Sequence, residues 1–161
     1  MAPRIDEKVY LETSVISYLV SRPSRDLVVA AHQQITRQWW EERRESFQLY
    51  VSQMVIQEAG SGDPAAAQRR LGELASIPLL GLTDEAQALA RELVENGALP
   101  KQAVEDALHI ALATVHGMDY LLTWNCRHIA NAQMREAVVS VCMMRGYEPP
   151  VICTPEELMG R

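Results

Sequence analysis

At 161 residues, 48% hydrophobic and 22% charged, the chain has the makeup of one globular domain and is neither collagen-like nor disordered. Its formal net charge of −6 excludes a protein held on nucleic acid by bulk positive charge, though not an enzyme that meets nucleic acid at one local site. No repeat, low-complexity tract or Gly/Ser linker divides the chain, so residues 1–161 are expected to form a single domain. The first ten residues lack the apolar stretch of a signal peptide, and no apolar run approaches the ~18 residues of a membrane span. Three cysteines, none at metal-ligand spacing, suit a reducing compartment. The expectation is a cytoplasmic protein with no membrane contact.

In chain order, Val9-Tyr10-Leu11 reads as a short strand closed by Glu12-Thr13-Ser14, with Thr13 and Ser14 as candidate caps of a helix carrying Val15, Ile16, Tyr18 and Leu19. A second helix is expected from near Ser24 and Asp26 to about Glu45, with Val28, Ala31, Ile35 and Trp39 as its apolar stripe. Trp39 on that stripe is read as core or dimer packing. Phe47 to Val51 reads as a strand, and Ser52 caps a helix over Met54 to Ala59. Pro64 opens a helix carrying Ala67, Leu71 and Leu74 that stops before Pro78. Leu79 to Leu82 is a minimal strand. Thr83, Asp84 and Glu85 start a helix with Ala86, Leu89, Ala90 and Leu93 on one face, ended by Asn96-Gly97.

Val104 to His116 is the most apolar helix, closed by Gly117. Met118 to Thr123 reads as a strand, Gln133 to Arg145 as a helix and Val151 to Cys153 as the last strand. Short strands alternating with helices imply a parallel sheet covered on both faces. In such a sheet the ligand crevice lies beyond the carboxyl ends of the strands.

The chemically informative residues sit at those ends. Glu12 follows the first strand, Glu58 lies on the helix after the second, and Asn125 lies two residues past Thr123. Asp106 sits near the start of the most apolar helix, where an ionised carboxylate costs several kcal/mol unless something pairs with it. No Lys or Arg occurs between Lys101 and Arg127. Carboxylates converging on one crevice repel, and a divalent cation removes that penalty. Hard oxygen donors favour Mg²⁺ or Mn²⁺ over zinc. A phosphoacceptor receiver domain also gathers acids at strand ends, but its chemistry needs a Lys after a late strand, and the only lysines are Lys8 and Lys101.

Four segments, YLETSVISYL, VSQMVIQEAG, EDALHIALA and DYLLTWN, resemble the motifs of PIN-domain nucleases, the group that includes VapC-type toxins. The resemblance runs from about Val9 to Cys153. It implies a three-layer α/β/α sandwich with a central, mostly parallel sheet of four to five strands. Carried over position by position, it places the catalytic and metal-binding site on Glu12, Glu58, Asp106 and Asn125. Thr13, Ser14, His109, Thr123, Trp124 and Arg127 stand nearby as supporting or substrate-contacting candidates. Two positions depart from the family pattern: Glu12 stands where Asp is usual, and the neutral Asn125 where Asp is common. The implied activity is metal-dependent hydrolysis of RNA leaving a 5′-phosphate. The implied partners are RNA, an antitoxin protein and a second copy of the chain. The two departures motivate an alternative, a catalytically weak PIN-like module that acts through a protein contact. Arg127, His128 and Asn131 follow Asn125 closely enough to contact RNA phosphate, with loop polarity as their ordinary reading, and a helix-end dipole contact is that of His116.

Overall fold

The computed structural model describes residues 7–160. Five short strands, β1 (Lys8–Leu11), β2 (Gln48–Ser52), β3 (Leu79–Leu80), β4 (Tyr120–Leu122) and β5 (Val151–Cys153), form one sheet in the order β3-β2-β1-β4-β5. Every pairing is parallel. Parallel strands need crossovers, and the helices that supply them cover both faces. That is why Val9, Tyr10 and Leu11 are all buried rather than alternating in and out.

Among the described residues, seven α-helices make these crossovers. Helices α1 (Thr13–Val20), α2 (Leu27–Glu42), α3 (Gln53–Ala59) and α4 (Pro64–Leu74) pack together as one layer. Helices α5 (Asp84–Glu95), α6 (Val104–Val115) and α7 (Ala132–Met144) form the other. The result is the expected three-layer α/β/α sandwich, with a sheet that is wholly parallel. Local signals set several boundaries. Asp26, Ser52, Asp63 and Thr83 each accept a backbone N–H in the first turn of α2, α3, α4 and α5. Gly97 and Gly117, with φ of 75° and 69°, turn the chain just after α5 and α6, a conformation that costs other residues about 1–2 kcal/mol.

Three local expectations are corrected. Thr13 and Ser14 do not cap α1; they lie within its first turn, and Glu12 is the N-cap residue, with no side-chain cap bond. Their hydroxyls are drawn instead to carboxylates, as described below. Helix α2 stops at Glu42, and a 3₁₀ turn over Arg44–Ser46 leads to β2. Its buried face carries Gln33, Thr36, Trp39 and Trp40, so of the expected stripe Val28 and Ala31 face solvent and Ile35 is half-buried. The face rotates because polar groups claim the interior side. Gln33 bonds the Arg22 carbonyl and the Ser24 N–H, and Thr36 receives the Trp124 indole. Trp39 is a core residue: it is fully buried, and its indole N–H reaches the Leu158 carbonyl at 3.1 Å.

This burial pattern separates two leucines. Leu121→Ala, in the sheet centre and 0% exposed, is expected to lose about 2–5 kcal/mol, whereas Leu27→Ser, 86% exposed, should change stability by less than about 0.5 kcal/mol. Chemical denaturation of both variants checks the pair.

Candidate acidic site at the carboxyl ends of the strands

From β1 the chain moves outward to β2 and β3, then returns to place β4 on the opposite side of β1. Connections therefore diverge between the carboxyl ends of β1 and β4, and the backbone opens a crevice there. Glu12 occupies that point. Its N–H bonds the Leu122 carbonyl at 3.0 Å, so the residue is fastened to the end of β4 before its side chain makes any contact.

The Glu12 side chain is 5% exposed, and no Lys, Arg or His forms an ion pair with it among the described residues. Two hydroxyls stabilise it. Thr123 Oγ1 donates to Glu12 Oε1 at 2.6 Å, and Ser14 Oγ donates to the same oxygen. Each hydroxyl also accepts a backbone N–H: Trp124 to Ser14 at 2.8 Å, Asn125 to Thr123 at 2.9 Å. The chain after β4 is thus tied to Glu12 through both. The second oxygen, Oε2, accepts no hydrogen bond from the described residues, yet it is not a sealed, unsatisfied atom.

Glu58, on α3, repeats the arrangement. Its Oε1 accepts from Thr13 Oγ1 at 2.9 Å and is bonded to His109 Nε2 at 2.6 Å, while Oε2 again has no partner among the described residues. Burial pushes the Glu58 carboxyl up, but the hydrogen bonds from His109 and the Thr13 hydroxyl outweigh it and hold the group below the ordinary carboxylate value. His109 is fully buried, with Nδ1 2.7 Å from the Tyr10 hydroxyl. Burial in turn raises the Tyr10 phenol well above its ordinary value, only partly offset by the Ser52 hydroxyl.

Asp106 is held differently. Its Oδ1 accepts from the Asn125 amide at 3.0 Å, and its Oδ2 lies 2.9 Å from His128 Nδ1. Its side chain is 23% exposed, so the apolar helix does not swallow it. The Asn125 oxygen accepts the His128 N–H at 3.1 Å, so both ends of that amide brace the loop after β4.

These bonds join Glu12, Ser14, Thr123, Asn125, Asp106 and His128 in one continuous network, with Glu58, Thr13 and His109 beside it through the Glu12–Thr13 backbone. Among the described residues, however, no three His, Cys, Asp or Glu side chains gather closely enough to hold a metal ion. The donors therefore do not form a ready cage. They do fit a cation that keeps most of its water and takes one or two carboxylates, as Mg²⁺ does. Hard oxygens, two half-committed glutamates and a buried charge without a cationic partner all favour that class of ion over zinc.

Trp124 is turned away from this network. Its ring stacks on His32, centroids 4.0 Å apart and planes 12° off parallel, and its indole bonds Thr36 at 2.7 Å. Only its backbone reaches the site. Arg127 is exposed on the loop between Asn125 and α7. His116 bonds the Gly81 carbonyl at 2.7 Å. Sequence reasoning passed over Tyr10 and Ser52, which sit on strands where a phenol and a hydroxyl read as filler and cap. It weighed His128 as loop polarity or a phosphate contact and did not foresee its bond to Asp106.

The PIN-domain family model matches residues 9–128 of the chain. No curated protein matches it.

The doubly bonded hydroxyl of Thr123 offers a direct check on the network. Thr123→Val removes a donor to Glu12 and strands the Asn125 N–H, and is expected to cost about 1–3 kcal/mol. Urea denaturation measures the difference.

Proposed function

The chain belongs to the PIN-domain family, and from that premise we propose that it is a metal-dependent endoribonuclease hydrolysing RNA phosphodiester bonds at the acidic site. The observation that carries this reading is the matched state of Glu12 and Glu58. Each has one oxygen fixed by two donors and the other free of partners among the described residues. A carboxylate retained in this way at a sheet's ligand crevice, with no Lys or Arg paired to it among the described residues, is arranged to receive a cation.

Glu12 and Asp106, with Glu58 directly or through a water, are the residues that would hold Mg²⁺ or Mn²⁺. Once bound, the ion supplies charge neutralisation at the scissile phosphate and a lowered pKa for water. The chain's own part is orientation. Ser14 and Thr123 restrict Glu12 to one rotational position, and Thr13 and His109 do the same for Glu58. Asn125 and His128 hold the two oxygens of Asp106 apart, one donor each. Arg127, exposed beside the site, is placed to meet a flanking phosphate. In the proposed reaction water adds to phosphorus, the bond to the 3′ oxygen breaks, and that oxygen takes up a proton. The products are a 5′-phosphate and a 3′-hydroxyl.

The finer reading is a toxin silenced by an antitoxin protein that blocks the crevice, in a chain that forms homodimers. Exposed Leu27 and Val28 on α2, with Met143 and Met144 on α7, are apolar surface that such partners would cover. One observation favours the alternative of a catalytically weak interaction module: no three-acid cluster is formed among the described residues, and the Asn125 amide is already engaged.

Purified protein, a fluorescent single-stranded RNA and Mn²⁺ discriminate the two. Metal-dependent cleavage is expected, with Asp106→Asn lowering it by more than about a hundredfold, beyond the usual effect of losing a ligand's supporting partner, while circular dichroism stays unchanged. Equal cleavage by a folded Asp106→Asn variant removes the nuclease reading.

A further inference from the structure

We propose that Tyr10, backed by Ser52, is a positioning residue for Glu58: it anchors the far side of the His109 ring, so that the ring holds the Glu58 carboxylate in one orientation at the acidic site. As far as it concerns catalysis, this rests on the nuclease reading above.

The argument begins with what the core does not need. Tyr10 and His109 are each 0% exposed and Ser52 is 2% exposed, so three polar side chains lie in the interior between β1, the end of β2 and α6. A buried polar group costs about 1–3 kcal/mol when unpaired, and replacing a whole paired set by apolar groups of similar shape is often nearly neutral. Packing alone would be served by Phe at position 10 and an aliphatic residue at 109. The tyrosine and histidine instead form a chain that runs through the sheet and emerges at Glu58. Ser52 Oγ lies 2.8 Å from the Tyr10 hydroxyl, that hydroxyl 2.7 Å from His109 Nδ1, and His109 Nε2 2.6 Å from Glu58 Oε1.

Hydrogen counting gives the chain a direction. A carboxylate only accepts, so the His109 proton sits on Nε2 and points at Glu58. Nδ1 is then an acceptor, and the single Tyr10 hydroxyl proton must go to it. The Tyr10 oxygen is left to accept from Ser52, whose own oxygen accepts the Val55 N–H at 3.3 Å. Every donor has one acceptor. The ring is clamped at both ends, as a ligating or ligand-supporting imidazole is clamped by the partner on its other nitrogen. Thr13 adds a donor to the same Glu58 oxygen, so Oε1 is held from two sides while Oε2 has no partner among the described residues. Without the Tyr10 hydroxyl the ring pivots about its single remaining bond, and Glu58 pivots with it.

Two measurements test this. In the ¹⁵N-labelled wild-type chain, long-range proton–nitrogen NMR is expected to show the His109 proton on Nε2, with Nδ1 an acceptor. A proton on Nδ1 overturns the proposal, and this result needs no metal, RNA or variant. In Tyr10→Phe, Mn²⁺ affinity by calorimetry is expected to fall about 10–100-fold, with kcat on RNA reduced, KM unchanged and the helical signal retained. Unchanged Mn²⁺ affinity and kcat in a folded Tyr10→Phe variant likewise overturn it. A wild type that shows the Nε2 proton, with the variant's loss of Mn²⁺ affinity, yet cuts no RNA sinks the nuclease reading and leaves the positioning role standing.

Discussion

Glu12 sets the terms for the rest of the site. A carboxylate 5% exposed at the junction of two strands is a costly thing to bury, and among the described residues no cationic side chain shares the cost. The sheet makes this tolerable through its topology. Because β1 is central and the chain departs from it in opposite directions, the residues after β1 and after β4 meet across a gap that no crossover fills. Ser14 and Thr123 can therefore both turn hydroxyls onto one oxygen, and backbone N–H groups of the β4 loop complete those hydroxyls in turn. The carboxylate organises the loop as much as the loop organises the carboxylate.

The two histidines extend the same logic into the second and third acids. Each approaches one oxygen of its carboxylate, His109 from the dry interior and His128 from the loop after β4. Their surroundings differ sharply. His109 is wholly enclosed and braced by Tyr10, so it acts as a fixed strut. His128, 15% exposed, sits on a segment whose geometry depends on the Asn125 amide. The Glu58 side of the site is therefore rigid by construction, and the Asp106 side is only as rigid as its loop.

Much of the fold was legible because periodicity and end signals agree. Ala86, Leu89, Ala90 and Leu93 mark the buried face of α5, and Thr83 before them supplies its cap, all as observed. Helix α2 was misread for a physical reason: Val28 and Ala31 look like core residues in a helical stripe, but Gln33 and Thr36 have partners waiting inside and take the interior positions. Apolar spacing cannot register a polar residue whose partner lies on another element. The same limit hid Tyr10 and Ser52, since a bond spanning 99 residues, Tyr10 to His109, leaves no local trace. The structure brings Glu12, Asp106 and Asn125 into one hydrogen-bonded network with Glu58 beside it, the positions that the motifs had singled out for the proposed site. Their hydrogen-bond directions were not legible in the sequence.

Asn125 shows how one neutral side chain can shape the charge of the whole site. Its amide nitrogen stands 3.0 Å from Asp106 Oδ1, and its oxygen accepts the His128 N–H. An aspartate there would set a second negative oxygen against Asp106 in place of a donor, a repulsion that only a bound cation offsets. With asparagine the contact becomes attractive, and the β4 loop holds its shape without an ion. What is gained in the preformed loop is lost in field, because one fewer negative charge draws the cation in. The longer Glu12 acts in the opposite sense, since its extra methylene carries the free oxygen further from the backbone that anchors it. Together they describe a site that is pre-braced around Asp106 and that, on the proposed function, would take its ion from the Glu12 and Glu58 side.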